Sequence, residues 1–324
     1  MGGLETLRDQ LCAIVADVEL LAPDRARSGG VELAVAGAIG PLAGLAEALY
    51  ARHYIRPRQE AAAPVAPADA ATFLDTLRAA NKVAPRHAIW TIVAVDAWGL
   101  SLADGNGGQR RAGYVEAVPG PGGFAPGQLV TIPAMREMLT APAGHYAMLG
   151  RPIAEAGAGR QVRFYWNIDA AGAAVFLDGI GAGLERRRIP FQAKVPAHPA
   201  GFARADAGVL YLDAEDVEAA RDVIAGTHAA VGATLRPETP LFTRALGRGL
   251  GFAESPASGE SFGMQRCRLV AEGLVEGFAA GAADTPARVD AVLARLARYG
   301  FDLAAIERNA GTHYPHRFDG LAAS

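Results

Sequence analysis

Four side chains able to do chemistry fall inside or beside apolar runs of strand length. Arg163 and Tyr165 lie in V-R-F-Y-W-N-I-D, Lys194 in I-P-F-Q-A-K-V-P, and Arg204 in G-F-A-R-A-D-A-G-V-L-Y-L. Side chains two apart on a strand share a face, so Arg163, Tyr165 and Asn167 point one way and Phe164 and Trp166 the other. By the same rule Gln192 and Lys194 share a face, with Phe191, Ala193 and Val195 opposite. Arg204 opens a third predicted strand, just ahead of Val209, Leu210 and Tyr211. If these strands are neighbours, one sheet face gathers two guanidiniums, an amine and a phenol. Like charges at half-buried positions are costly without a compensating anion, and the simplest such anion is a phosphate. Arg244 and Arg266, from a glycine-rich stretch and the helix after it, join the set. Each residue alone has a plainer explanation: an arginine on a solvated face, a lysine guarding a sheet edge. Three consecutive strand runs that each place such a group inward are harder to explain that way.

Composition narrows the setting. The 324 residues are long enough for one large or two ordinary domains, and 51% hydrophobic with 20% charged residues describes a globular chain with ample core. A net charge of -3 gives no reason to expect nucleic-acid binding. Cys12 and Cys267 make neither a disulfide framework nor a zinc pattern, which points to a reducing compartment. The N-terminus lacks the apolar core of a signal peptide, and no apolar run is long enough to span a bilayer, so the expectation is a cytoplasmic protein without membrane contact. Only Lys82 and Lys194 are lysines among 31 basic residues. A lysine inside an apolar strand of an arginine-rich chain is therefore hard to dismiss.

The elements that must position these groups follow from the pattern. Leu4, Leu7, Leu11 and Ile14 predict a helix over 4–20, and a second helix is expected over 31–50. Residues 61–69 look like a Pro/Ala connector, and Phe73, Leu74 and Leu77 mark a short helix over 71–83. From 89 to 133, strand-like runs separated by D-G-N-G-G and P-G-P-G-G predict a small antiparallel module, structural or peptide-docking in role. From about 145, strands and helices alternate. Helices are expected over 170–187, 213–234 and 265–281, with a last one opening at Thr285-Pro286, and a long glycine loop covers the residues around 241–266. The fold class is α+β: an N-terminal part, 1–140, of helices and the small module, then an α+β domain over 141–324 with a mixed or antiparallel sheet.

Other motifs carry less. Gly259, Ser261 and Gly263 satisfy G-x-S-x-G, but A-E-S-P-A-S before them is a loop rather than the strand that a nucleophile elbow requires. The pair His313 and His316 has metal-ligand spacing without a carboxylate or cysteine cluster to complete a site. G-R-G-L-G lacks the G-K-[ST] of a P-loop. No metal and no organic cofactor are expected.

V-R-F-Y-W-N, P-F-Q-A-K-V, R-A-D-A-G-V-L-Y and A-E-S-P-A-S-G-E-S-F-G-M-Q-R resemble the Hop-type effector domain of plant-pathogen type III secretion, over roughly 141–270. That domain is similar in fold to the phosphothreonine lyases. Stand-alone relatives occur in lanthipeptide and thioamitide gene clusters beside a kinase-like protein. The resemblance implies that Lys194 is the base, that Arg163, Arg204 and Arg266 bind phosphate, and that Tyr165 stands where the lyases place a catalytic histidine. Arg244 is grouped with the phosphate-binding set, and Asn167, Asp206, Glu260 and Ser261, within the matching motifs, with the supporting residues.

The implied reaction is β-elimination of phosphate from phosphoserine or phosphothreonine in a precursor peptide, giving dehydroalanine or dehydrobutyrine. The implied partners are that peptide, a separate kinase and a ring-forming cyclase. Arginine stays protonated and cannot be the base, whereas lysine can. The leading alternative is a non-catalytic, effector-like protein whose basic pocket binds phosphopeptide or a partner, and the tyrosine at 165 keeps it open. A serine hydrolase built on Ser261 comes third.

Overall fold

Helix α1 (Gly2–Asp17) buries Leu7, Leu11 and Ile14 and leaves Leu4 exposed. The computed structural model describes residues 2–37, 40, 42–56, 67–104, 108–140, 144–153, 160–312 and 315–318. After α1 the chain makes a three-stranded antiparallel sheet, β1 (Val18–Ala22), β2 (Arg25–Ser28) and β3 (Val31–Ala34). The helix expected over 31–50 is thus shorter and begins later. Gly29 and Gly30 both have positive φ and make the two-residue turn that pairs β2 with β3. Helix proper is confined to α2 (Ala43–Leu49), which widens into a π-helical turn over Tyr50–Tyr54. The connector expected at 61–69 lies outside the described residues up to 66, and helix α3 (Pro67–Ala80) follows with Leu77 buried.

Two compact units result, Met1–Lys82 with Leu139–Ser324, and Val83–Met138. The second is the expected antiparallel module. Its strands β4 (His87–Asp96), β5 (Gly99–Ala103), β6 (Gln109–Ala112), β7 (Val118–Pro119) and β8 (Leu129–Pro133) are ordered β6-β5-β4-β8-β7. They close over Ile92, Leu100, Leu102, Val130 and Ile132.

The first unit is built on a seven-stranded sheet. Its strands are β9 (Glu137–Thr140), β10 (His145–Leu149), β11 (Gln161–Trp166), β12 (Gln192–Pro196), β13 (Gly208–Asp213), β14 (Arg244–Gly247) and β15 (Leu250–Glu254), in the order β14-β15-β11-β13-β12-β10-β9. One face carries Phe164, Trp166 and Phe252, and α4 (Ala173–Arg187) packs on it, with the Trp166 and Phe176 rings 5.1 Å apart. Helix α5 (Val217–Ala230) lies beside α4. The other face carries Tyr165, Val209 and Ala253 into a core shared with α1, α2, α6 (Phe262–Ala279) and α7 (Thr285–Tyr299). The α+β expectation therefore holds.

Two local expectations change. The glycine loop contains a hairpin, β14–β15, because Gly249 turns with positive φ between two short apolar runs. Helix α7 is capped by Asp284, whose side chain accepts the Ala287 N–H at 2.8 Å, one residue ahead of the expected Thr285.

Candidate functional site

The central strands bring the sequence candidates together by register. Arg163 of β11 pairs with Tyr211 of β13, which pairs with Gln192 of β12; one step along, Tyr165 pairs with Val209 and Val209 with Lys194. Directly opposite residues share a face, so Arg163, Tyr165 and Lys194 do lie on one face. Tyr211 sits between the two cations. Its ring centroid is 5.2 Å from Arg163 Cζ and 5.7 Å from Lys194 Nζ. Strand β10 adds a group that the sequence reading passed over. Ala147 pairs with Lys194, so His145, two residues earlier, projects from the same face, and it is buried.

Arg163 is held from one side only. Its Nε donates to Ser255 Oγ at 2.8 Å and its Nη2 to the Glu260 carbonyl at 3.4 Å, while Ser255 Oγ donates to Gln161 Oε1 at 2.9 Å. The guanidinium has no carboxylate partner among the described residues, although it is buried. Lys194, half-buried, makes no hydrogen bond or ion pair among them either.

Arg204 is differently placed. Strand β13 begins only at Gly208, so Arg204 lies in the preceding loop rather than in the strand expected there. The loop is fixed by a bidentate pair with Asp206, Nε to Oδ1 at 2.5 Å and Nη2 to Oδ2 at 2.9 Å. Burial disfavours the Asp206 carboxylate, but the Arg204 guanidinium more than offsets this, with Lys194 and His145 adding to it, so the carboxyl stays below its usual range. Arg204 Nη2 also donates to Tyr50 Oη at 2.9 Å. Tyr50 stacks on Tyr54, ring centroids 5.0 Å apart. The π-helical turn thus brings two phenols to the site from the N-terminal part of the chain. Gly263 on α6 allows it to come close, since a Cβ there would sit 2.4 Å from the Tyr54 ring.

Tyr165 is fully buried, and its hydroxyl makes no hydrogen bond among the described residues. Burial pushes its phenol up to about 12, with Arg163 opposing. Such a group is a poor proton donor near neutrality.

The remaining candidates have other engagements. Arg266 is completely buried between the Phe262 and Phe301 rings, 4.5 and 4.0 Å from its Cζ. Its Nε and Nη2 donate to the carbonyls of Ile306 and Arg308 at 3.2 and 2.7 Å, and its Nη1 to Gln265. These contacts fasten the C-terminal segment and present no donor to a ligand. Arg244 pairs with Phe252 and so lies on the opposite face from Arg163, with its Cζ 4.8 Å from the Phe318 ring. Asn167 Nδ2 donates to the Glu238 carbonyl at 3.0 Å. The Glu260 carboxylate pairs with Arg268. Ser261 caps α6 by accepting the Met264 N–H at 3.2 Å, which gives the G-x-S-x-G serine a structural task. Of the histidine pair, His313 lies outside the described residues, and His316 Nε2 is 2.9 Å from the buried Glu254 carboxylate. No group of three or more His, Cys, Asp or Glu among the described residues could hold a metal ion, and no described helix is long and apolar enough to cross a membrane.

A model of the HopA1 effector protein family matches residues 139–308, more than half of the chain. The chain belongs to the HopA1 effector protein family. Among solved structures it is similar to the effector protein from Pseudomonas syringae pv. tomato strain DC3000, at 16% identity and TM-score 0.53, over 96% of this chain and 100% of that one. The effector protein from Pseudomonas syringae pv. syringae strain 61 also matches, at 16% identity and TM-score 0.48, over 82% of this chain and 90% of that one. At such identity the likeness speaks for the fold. No curated protein sequence matches the chain. The HopA1 match takes in Arg163, Lys194, Arg204 and His145 but not Tyr50 and Tyr54, which lie before it.

Tyr211, His145, Ser255, Tyr50 and Tyr54 are the site residues that sequence reasoning missed. Tyr211 carried a usable signal, since alternation within G-V-L-Y-L sets it on one face with Val209. The two tyrosines of the π-helical turn carried none, because only folding brings them more than a hundred residues along the chain to Arg204.

Proposed function

We propose that this protein eliminates phosphate from phosphoserine or phosphothreonine in a peptide. The observation that carries the reading is the pair of cations around Tyr211, Arg163 and Lys194, neither with a carboxylate partner among the described residues. A phosphate dianion placed there gives both cations a counter-charge and accepts hydrogen bonds from the free nitrogen of Arg163. Arg204, already neutralised by Asp206, frames the site and orients Tyr50.

In the reaction, the Lys194 amine takes the Cα proton of the phosphorylated residue. The electron pair forms the Cα=Cβ bond, the Cβ–O bond breaks, and phosphate leaves with that bond's electrons. Arg163 opposes the charge that builds on the leaving oxygen. Tyr165, with its phenol at about 12, is a weak donor to that oxygen. His145, on the same sheet face, is the better-suited proton donor, and imidazole is the usual group for such work. The products are inorganic phosphate and a dehydroalanine or dehydrobutyrine residue. The chain shows no phosphate-binding glycine motif of a kinase, so a separate kinase phosphorylates the precursor peptide, and a cyclase uses the product.

A second reading draws on the burial of Tyr165: the site holds a phosphopeptide without turning it over, as a docking surface would. Mass spectrometry of a phosphoserine peptide after incubation with the protein separates the two. Loss of phosphoric acid from the peptide supports the lyase; an unchanged mass with measurable, phosphate-dependent binding supports the binder. Neither binding nor loss would end both readings.

A further inference from the structure

Away from the Tyr211 site, an open cleft of roughly 660 Å³ lies beside edge strand β14, walled by α1 and the segment around 304–308. Its size is within the range of ordinary ligand sites. Three guanidiniums, Arg56, Arg244 and Arg308, line it against two carboxylates, Glu238 and Glu307, and none of the five forms an ion pair among the described residues. Two further atoms on its lining residues are buried without a hydrogen-bond partner, the acceptor Gln10 Oε1 and the donor Arg308 Nε. Buried polar atoms left unpaired are rare and call for an explanation. Arg56 also holds φ of 44, a left-handed conformation costly for a side chain of its size. The cleft thus lacks a donor, an acceptor and negative charge.

We propose that this cleft binds an extended acidic peptide segment. A peptide backbone supplies an N–H for an acceptor like Gln10 Oε1 and a carbonyl for a donor like Arg308 Nε, while acidic side chains neutralise the excess guanidinium. Strand β14 pairs only with β15, so its other edge offers backbone groups to such a segment. A simple polyanion would satisfy the charge and leave Gln10 unpaired. The inference is independent of phosphate elimination, because the ligand needs no phosphate.

The test is fluorescence anisotropy on the full chain with two labelled, end-capped hexapeptides, one alternating Glu and Val and one alternating Lys and Val. The acidic probe is expected to bind at least about tenfold more tightly than the basic one. Arg56→Glu and Arg244→Glu, both at exposed positions, should each weaken the acidic probe by roughly tenfold. Thermal melting of each variant checks that the fold is retained. Equal binding of the two probes, no binding of either, or acidic binding that survives both substitutions would overturn the proposal. So would full displacement of the acidic probe by an equimolar amount of inorganic tripolyphosphate, which would make the cleft a polyanion site.

Discussion

Two buried arginines, Arg163 on β11 and Arg266 on α6, look alike in the sequence and do opposite things. Every nitrogen of Arg266 is engaged by carbonyls or by Gln265, and two phenyl rings enclose the group. Arg163 is anchored along one edge, rests on the Tyr211 ring, and keeps Nη1 without a hydrogen bond among the described residues. Desolvating a guanidinium is costly in both places. Around Arg266 the protein itself supplies the compensation and gains a fastened C-terminal segment. Around Arg163 the compensation is incomplete, and a neighbouring Lys194 adds a second positive charge. Saturation marks a structural cation, and a shortfall marks a place for a ligand.

The sharpest way to break this contrast is at Lys194. Lys194→Arg keeps the charge and loses the exchangeable proton. Elimination is expected to fall by about 10²–10⁴-fold while the phosphopeptide still binds, measured by mass-spectrometric turnover and by titration. Near-normal turnover in a folded variant would take Lys194 out of the base role.

Arg266→Met tests the other half. Leaving the carbonyls of Ile306 and Arg308 unpaired is expected to cost about 2–4 kcal/mol of stability, visible in chemical denaturation. A phosphate-selective loss of peptide affinity in the folded variant would instead return Arg266 to the phosphate site.

Arg163→Ala should weaken phosphopeptide binding by roughly 10- to 150-fold, from about 1.5–3 kcal/mol for a charge-assisted bond, and scarcely change binding of the unphosphorylated peptide. Equal losses for both would assign Arg163 to folding.

The smallest effect is one of pH. The Asp206 carboxyl is held below its unfolded value, so its contribution to stability is present above the ordinary carboxylate range and lost as pH falls through the folded value. Asp206→Asn lacks that contribution. The stability difference between the two proteins should therefore be full at neutral pH and shrink on acidification. A difference independent of pH would mean that the Arg204–Asp206 pair is not what fixes the loop.

Much of this was legible beforehand for a simple reason: strand periodicity fixes faces without any knowledge of neighbours. Arg163, Tyr165 and Lys194 were placed on one face by alternation alone, and the registers through Val209 and Tyr211 agree. Arg266 was misjudged because a sequence shows a side chain's charge but not the carbonyls that surround it, here from residues 40 and 42 positions later. Arg244 was misjudged because the hairpin that sets its face read as a loop. His145 and Tyr50 were overlooked because their link to the site runs through Asp206, a contact between parts far apart in the chain.

The π-helical turn at Tyr50–Tyr54 makes the site depend on the count of residues as well as their kinds. A turn of this type holds an extra residue relative to an α-helical one and is bounded here by α2 and by the Ile55 carbonyl, which accepts the Ala205 N–H at 2.6 Å. Deleting Ala51 would let the segment relax into α-helix and rotate everything beyond it by about 100°. Tyr54 would then leave the groove above Gly263, and the stacked phenols would part, with no site residue altered in identity. Length in this short stretch is thus under the same constraint as chemistry, and insertions or deletions that a surface helix would absorb are excluded between Tyr50 and Tyr54.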